Sequence, residues 1–215
     1  MSEINPQLVK TLRDKTNAGM MDCKRALAET GGDLEKAEDL LRKKGILKAG
    51  SKSARATKEG VIASYIHMQG KVGVLVEINC ETDFVAKNDA FRDFVKDITL
   101  HIAASSPICV SREQVPADLV ERERAIAVAQ IEEEGKTSGK TKPANIVEKI
   151  VDGKIDKFLA GICLLDQAFI KNPDQTVSEL VKSKIAELGE NIVIRRFTRY
   201  MVGDAIESEK TVAAE

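Results

Sequence analysis

The chain has 215 residues, of which 43% are hydrophobic and 31% are charged, so a disordered polypeptide is excluded. The 33 Lys and Arg residues are balanced by 34 Asp and Glu residues, and the formal net charge of −1 argues against a dedicated nucleic-acid binder. No apolar run reaches the roughly 18 residues of a membrane span, and the N-terminus lacks the basic start and apolar run of a signal peptide. We therefore predict a cytoplasmic protein that does not enter a membrane.

The first 45 residues predict three short helices joined by tight turns. Asn5 is a plausible N-cap because Pro6 and then an apolar stripe follow it. Gly31–Gly32 ends the second helical pattern, and Asp33 stands where it would cap a third helix. We predict that residues 1–45 form a small three-helix bundle, close to the lower size limit for independent folding.

Residues 46–60 are predicted to form a basic linker. The stretch from Arg42 to Lys58 holds seven basic residues and no acidic one, and Gly, Ser and Ala fill most of the gaps. The preferred interpretation is a solvated spacer, because the stretch has no aromatic residue that could stack on bases. A basic arm that contacts RNA or an acidic partner is the alternative.

Residues 61–206 are predicted to form an α+β core with an antiparallel sheet. Val61–His67 and Val72–Cys80 are β-rich runs on either side of a short turn, which predicts a β-hairpin. A helix beginning near Asn88 carries an apolar stripe with helical spacing, so it is expected to pack against the sheet. Asn191–Val202 alternates well enough to be a last strand.

Two long helical patterns lie within this core. The first extends to about Glu134 and the second follows a polar loop, so an antiparallel helical hairpin that projects from the body is predicted at about 117–160. Strand character is predicted for Gly161–Ile170, and Thr176 begins a capping box for a further helix. The polar tail at 207–215 is predicted to be loose.

The sequence carries no convincing catalytic, cofactor or metal signal. Gly135–Thr141 ends like a phosphate-binding loop, but three residues separate its glycines where that loop needs four, and a charged helix end precedes it. His101 lies on an apolar helical pattern, where a residue of the helix face is more common than a catalytic base. The cysteines are widely spaced and are predicted to be buried thiols, not a disulfide or zinc framework: Cys23, Cys80, Cys109 and Cys163. We therefore expect no enzyme, no cofactor and no bound nucleotide.

Two apolar features are poorly explained by folding alone. Met20 and Met21 stand together at the start of a helix, where neighbouring side chains point about 100° apart, so a small bundle cannot bury both. We expect one of them to fill the core and the other to offer an adaptable contact surface. Phe84 stands beside a carboxylate in the connection after a strand, where it either caps the core or faces a partner.

These features and several others together resemble bacterial elongation factor Ts. The resemblance covers nearly the whole chain, and the motifs occur in the family's order. The matching segments are Leu8-Val9-Lys10, Leu12-Arg13, Gly19-Met20-Met21-Asp22-Cys23-Lys24, Gly32-Asp33, Thr82-Asp83-Phe84-Val85-Ala86-Lys87, His101-Ile102-Ala103-Ala104, Ile150-Val151-Asp152-Gly153-Lys154, Lys157-Phe158 and Arg195-Arg196-Phe197.

The resemblance implies a guanine-nucleotide exchange factor that acts on the GTPase elongation factor Tu. It implies that the N-terminal bundle is ubiquitin-associated-like and docks on the nucleotide-binding domain of the GTPase. Carried over by position, the contacts with that domain would come from Arg13, Met20, Met21 and Lys24. The motif that intrudes beside the Mg²⁺ site of the GTPase would be Thr82, Asp83, Phe84 and Val85, with the Phe84 ring as the wedge.

The chain resembles the short type of this family, which has one sheet subdomain instead of two, and this implies a homodimer. Two other functions remain as alternatives. One is a ubiquitin-associated-like adaptor that scaffolds RNA or ribosomal proteins, with the basic linker as its only support. The other is an enzyme that holds a nucleotide at Gly135–Thr141.

Overall fold

The computed structural model describes residues 5–16, 18–138 and 143–204 and confirms the predicted α+β class. The chain divides into two compact units. The first combines the chain up to Ala63 with Val76–Ile98 and Ser178–Arg195, and the second combines Ser64–Leu75, Thr99–Val177 and the chain from Arg196. The domain boundaries after residues 45, 60 and 206 stay predictions, and the tail at 207–215 lies outside the described residues.

Three helices at the N-terminus pack against one another as predicted. They are α1 (Pro6–Thr16), α2 (Met20–Glu29) and α3 (Leu34–Lys52). The Asn5 side chain caps α1 by accepting a 2.9 Å hydrogen bond from the backbone N–H of Gln7. The buried core of these helices consists of Val9, Leu12, Cys23, Ala26, Leu27 and Ala37.

Within the segment predicted as a linker, residues 46–60, α3 continues to Lys52 and the first strand begins at Glu59. Distant hydrogen bonds hold this connection. The Lys52 ammonium donates to the carbonyl of Gly189 at 2.6 Å, and the Asn191 side-chain amide donates to the carbonyl of Ser53 at 3.2 Å. Local composition could not indicate these tertiary contacts, and the segment is therefore less of a free spacer than its sequence suggests.

The main sheet has three strands in the order β1-β2-β5, with β1 at Glu59–His67, β2 at Val72–Cys80 and β5 at Ile192–Met201. The predicted hairpin and the predicted last strand are thus confirmed. Antiparallel pairing of β5 with β2 follows from the contacts at their ends. The N–H of Val202 donates to the carbonyl of Lys71 at one end, and the N–H of Asn191 donates to the carboxylate of Glu81 at the other.

Two further helices bury their apolar stripes. They are α5 (Asp89–Ser105) and α8 (Val177–Leu188), which begins directly after Thr176 as predicted. Asn88 caps α5 because its side-chain oxygen accepts a 2.8 Å hydrogen bond from the N–H of Ala90. The predicted stripe of α5 is buried throughout: Phe91, Phe94, Val95, Ile98 and Ile102.

The predicted helical hairpin is formed by α6 (Ala117–Ser138) and α7 (Ala144–Ile162). The two helices share a core of Ala127, Ile131, Val151 and Ile155. The first helix extends beyond Glu134 to Ser138, so the beginning of the phosphate-loop-like segment is helical, and the rest of it lies in residues 139–142, outside the described part of the chain. A phosphate-binding loop follows a strand, so the helical start argues against that interpretation.

The strand predicted for Gly161–Ile170 is wrong. Helix α7 continues to Ile162, Cys163 forms an isolated parallel β-bridge with Cys109, and a 3-10 turn covers Leu164–Asp166. Ala168–Phe169 (β3) then pairs with β4 at Asn172–Thr176. In a short apolar run, the spacing of the residues does not distinguish the end of a helix from a strand. Its apolar residues Cys163, Leu164 and Phe169 are buried, which explains the apolar character of the run.

His101 is fully buried on α5 and has a structural role. Its Nδ1 accepts a 3.2 Å hydrogen bond from the backbone N–H of Ile170, so its Nε2 carries the hydrogen and donates to Gln167 Oε1 at 2.9 Å. Burial lowers the pKa of His101, and the hydrogen bond with Gln167 opposes this only in part. The neutral ring satisfies both partners, which supports the prediction that His101 belongs to a packed helix face.

We expect the free energy of unfolding to fall as the pH is lowered below about 6.5, the ordinary pKa of histidine. Below that pH the unfolded chain takes up a proton at His101, whereas the folded chain keeps the ring neutral because its pKa is lowered. The free energy of unfolding is therefore at its full value above that pH and decreases as the pH falls towards the lowered pKa of the folded state. In His101→Gln the pH slope should be smaller, by at most about 1.4 kcal/mol per pH unit. Urea unfolding between pH 7.5 and 5.0 measures the slopes, with His67→Gln, at an exposed position, as the control. Equal slopes for wild type and His101→Gln would contradict the prediction.

Candidate functional site

The segment Thr82–Val85 directly follows β2 and forms part of a one-turn helix, α4 (Asp83–Ala86). The sequence pattern predicts only a connection between strand and helix here, so this helical turn was not expected. Thr82 is its N-cap, and its Oγ1 accepts a 3.5 Å hydrogen bond from the N–H of Val85. The turn is anchored on its inner side by Ala86, which is buried, while Val85 is half-buried.

The side chain of Phe84 points away from this anchor. It is 82% exposed, more than any other large hydrophobic residue in the described part of the chain. The hypothesis that Phe84 caps the core is therefore wrong, because neighbouring aliphatic residues and the α5 phenylalanines fill that core. An exposed aromatic ring on a capped turn does not contribute to the packing of the core. Such a ring is typical of a side chain that binds a partner.

An ion pair flanks the exposed ring. Lys87 Nζ lies 2.7 Å from Asp83 Oδ2, one helical turn away, and both side chains are exposed. The Lys87 ammonium lowers the pKa of the Asp83 carboxyl through this hydrogen bond. An exposed pair of this kind adds little to stability, so its charges remain open to an approaching surface beside the ring.

Glu190, which precedes β5, holds the backbone just before α4. One carboxylate oxygen accepts hydrogen bonds from the N–H groups of Glu81 and Thr82 at 3.1 and 3.0 Å. The other oxygen accepts a 2.6 Å hydrogen bond from the Thr82 hydroxyl. Sequence reasoning missed Glu190, because nothing in the local pattern after Gly189 indicates a contact with a segment so far away in the chain.

Cys80 supports the same turn from within the core. Its thiol is buried and donates a 3.2 Å hydrogen bond to the carbonyl of Thr82. Burial raises the pKa of the Cys80 thiol to about 11, and the nearby Glu190 carboxylate adds to the rise. All four cysteines are free and buried, which confirms the prediction of buried thiols.

In the N-terminal helices, the four residues that are expected to contact a partner are all exposed: Arg13, Met20, Met21 and Lys24. Met20 is 58% exposed and Met21 is 66% exposed. The expectation that one methionine fills the core is therefore wrong, because Cys23, Ala26 and Leu27 already take the inward positions of α2. Two adjacent flexible apolar side chains thus lie on the surface at the start of this helix.

Within the described residues, no group of three or more His, Cys, Asp or Glu side chains is arranged to hold a metal ion. The helices described here also include none with the length and apolar character that a membrane crossing requires. The structure does expose apolar side chains, among them those at the predicted sites Met20–Met21 and Phe84.

Comparison with known proteins finds relatives that match over almost the full chain. The family model described as elongation factor TS matches residues 46–204. A protein named elongation factor Ts from Cyanothece sp. is 56% identical over 216 residues, which cover 100% of this chain and 80% of the relative. Proteins of the same name are 53% identical in Anaeromyxobacter sp., covering 100% of this chain and 95% of the relative, and 55% identical in Geobacter sulfurreducens, covering 96% and 94%.

We expect Phe84→Ala to change the free energy of unfolding by less than about 0.5 kcal/mol, because the ring already lies in water. The matched control is Phe91→Ala on α5, which leaves a cavity at a fully buried position and should cost about 3–5 kcal/mol. Urea unfolding followed by circular dichroism compares the two variants. A loss of similar size in both would show that Phe84 supports the fold instead of facing a partner.

Proposed function

The chain belongs to the elongation factor Ts family, and we propose that it promotes guanine-nucleotide exchange on elongation factor Tu, the GTPase that delivers aminoacyl-tRNA to the ribosome. The observation that carries this proposal is the exposed ring of Phe84 on a capped and anchored turn. Elongation takes place in the cytoplasm of bacteria, which is where we expect the protein to act. On this proposal it binds a protein partner and needs no active site, cofactor or nucleotide of its own.

The mechanism that we propose acts on the Mg²⁺ ion of the partner. Mg²⁺ demands near-ideal octahedral geometry and bridges protein groups to phosphate oxygens. A rigid ring that enters between partner elements beside the ion displaces a ligand by about an ångström, which is enough to spoil that geometry. Thr82, Asp83, Phe84 and Val85 form the intruding motif, with Phe84 as the wedge.

Loss of the ion leaves the negative charge of the diphosphate poorly neutralised, so GDP leaves faster. Faster release by about 10³–10⁵ requires the barrier to fall by roughly 4–7 kcal/mol. This free energy comes from contacts between the factor and the GTPase. Because coupling between two ligands of one protein is reciprocal, binding of GTP weakens the hold of the factor and releases it.

The N-terminal helices would supply a second contact with the nucleotide-binding domain of the partner. Met20 and Met21 offer adjacent flexible apolar side chains that can adapt to a partner surface. Arg13 and Lys24 add positive charge, and both are exposed on α1 and α2. We propose that this contact contributes affinity, whereas Phe84 contributes the acceleration of release.

We also propose that two copies of the chain associate. In the second unit, large apolar side chains are exposed near the β1-β2 turn and at the end of β5. They are Ile66, Met68, Leu75, Tyr200 and Val202, each more than half exposed. Exposed large apolar side chains are candidates for a protein interface when they lie close together, and these five lie on or next to adjacent strands of one sheet.

A dimer predicts a mass of twice 23.5 kDa by multi-angle light scattering at micromolar concentration. Leu75→Lys places a charge in the exposed apolar area and should shift the mass towards that of the monomer. Lys96→Glu, which changes an exposed charge on α5, serves as the control. A wild-type mass near 23.5 kDa would contradict the dimer.

The central experiment follows the release of labelled GDP from elongation factor Tu while this protein is titrated in. Wild type should accelerate release. Phe84→Ala should lower the maximal rate by at least tenfold, which corresponds to an activation barrier at least about 1.4 kcal/mol higher than with wild type. Ile108→Ala removes a similarly exposed apolar side chain elsewhere and should match wild type.

In the same titration, the double variant Met20→Ala/Met21→Ala should raise the half-saturating concentration and leave the maximal rate close to that of wild type.

No acceleration of GDP release by wild type would reject the exchange function. An unchanged maximal rate for Phe84→Ala would reject the wedge while the exchange function stands.

A further inference from the structure

Glu190 stands in the turn between α8 and β5, and its carboxylate is half-buried against the segment that carries Phe84. We propose that Glu190 is a positioning residue for nucleotide exchange, which acts by fixing the direction in which the Phe84 ring is presented. This inference rests on the proposed exchange function. It assigns a role in that function to a residue that never has to touch the GTPase.

Glu190 uses its whole carboxylate in this contact. Both carboxylate oxygens of Glu190 are occupied by hydrogen bonds of 2.6 to 3.1 Å from Glu81 and Thr82. Hydrogen bonds to an ionised acceptor are shorter and roughly twice as strong as neutral ones. Three of them on two consecutive residues fix the backbone immediately before α4 in both position and direction.

The Thr82 hydroxyl then passes this constraint to the residue after the ring. A hydroxyl has one hydrogen, which Thr82 donates to Glu190. Its lone pairs remain available, and one accepts from the N–H of Val85. Glu190 thus orients the hydroxyl that caps α4. This hydroxyl links Glu190 to the N–H of Val85, so the residues on both sides of Phe84 belong to one hydrogen-bond network.

The turn that carries Glu190 is itself held in place. The backbone N–H of Asn191 donates to Glu81 Oε1 at 2.6 Å, so the two segments exchange hydrogen bonds in both directions. The side-chain amide of Asn191 is buried and donates to the carbonyls of Ser53 and Arg55. Glu190 is therefore attached to a fixed support and not to a loose loop.

The short helix needs such a support. An isolated helix of four residues is unstable in water, because fixing the first turn costs more conformational entropy than its single hydrogen bond recovers. Only Ala86 is buried within α4, so packing contributes little to holding it. The contact with Glu190 is the strongest set of hydrogen bonds that the described structure gives to this segment.

The proposal is tested with Glu190→Gln in the GDP-release titration. The amide keeps the shape of the side chain but removes its charge and replaces one acceptor oxygen with a donor that faces N–H groups. We expect the maximal rate to fall roughly tenfold through misplacement of the ring, with the half-saturating concentration within about twofold of wild type because the N-terminal contact is intact. Glu187→Gln is the matched control, since it removes a carboxylate that pairs with Lys184 on the same helix.

A double variant separates positioning from general stabilisation. If Glu190 acts through the ring, Glu190→Gln should cause no further loss in a protein that already carries Phe84→Ala. The chain has no tryptophan, so Phe84→Trp also provides a single fluorescent reporter. Its time-resolved anisotropy in the free protein should show greater local motion when Glu190→Gln is added, with unchanged overall helicity by circular dichroism.

The outcomes distinguish the two proposals. If wild type does not accelerate release, the exchange function fails, and the anisotropy alone decides whether Glu190 holds the motif. If wild type accelerates release and Glu190→Gln equals it, or if the losses of Glu190→Gln and Phe84→Ala simply add, the positioning role is wrong while the exchange function stands.

Discussion

A phenyl ring that stands in water cannot fix its own direction, and this constraint explains much of the structure around Phe84. The side chain lacks the packing that holds the rings of α5, so its orientation depends on the backbone beneath it. That backbone forms a single helical turn, and hydrogen bonds with Glu190 in the turn before β5 hold Thr82 at its start. The rigidity of the candidate wedge is therefore a tertiary property, because it depends on a residue far away in the chain.

The two exposed apolar sites solve different physical problems. Met20 and Met21 are flexible and unbranched, so they can fit a surface without a defined approach angle. Phe84 is rigid and stands on a fixed turn, which suits a side chain that must move something in its partner. Both sites lie in the first compact unit of the chain, on different secondary-structure elements.

Sequence patterns predicted the elements whose cause is local. Alternation identified the hairpin and β5, helical spacing identified the buried stripe of α5, and cap residues located the helix starts at Asn5 and Thr176. The patterns failed where distant contacts decide the structure, as in the extension of α3 to Lys52 and the helix after Thr82. They identified Phe84 through its motif but could not decide its exposure, and they gave no sign of Glu190, because hydrogen bonds between remote segments leave no periodicity.

The contact between Thr82 and Glu190 spans 108 residues of chain, which has a consequence for biosynthesis. At about 5–20 residues per second, the ribosome needs roughly 5–20 s after making Thr82 before it adds Glu190. During that interval the nascent polypeptide already exposes its aromatic motif but lacks the strand and turn that hold it. The newborn protein thus gains its working geometry only after a further 108 residues have been added to the chain.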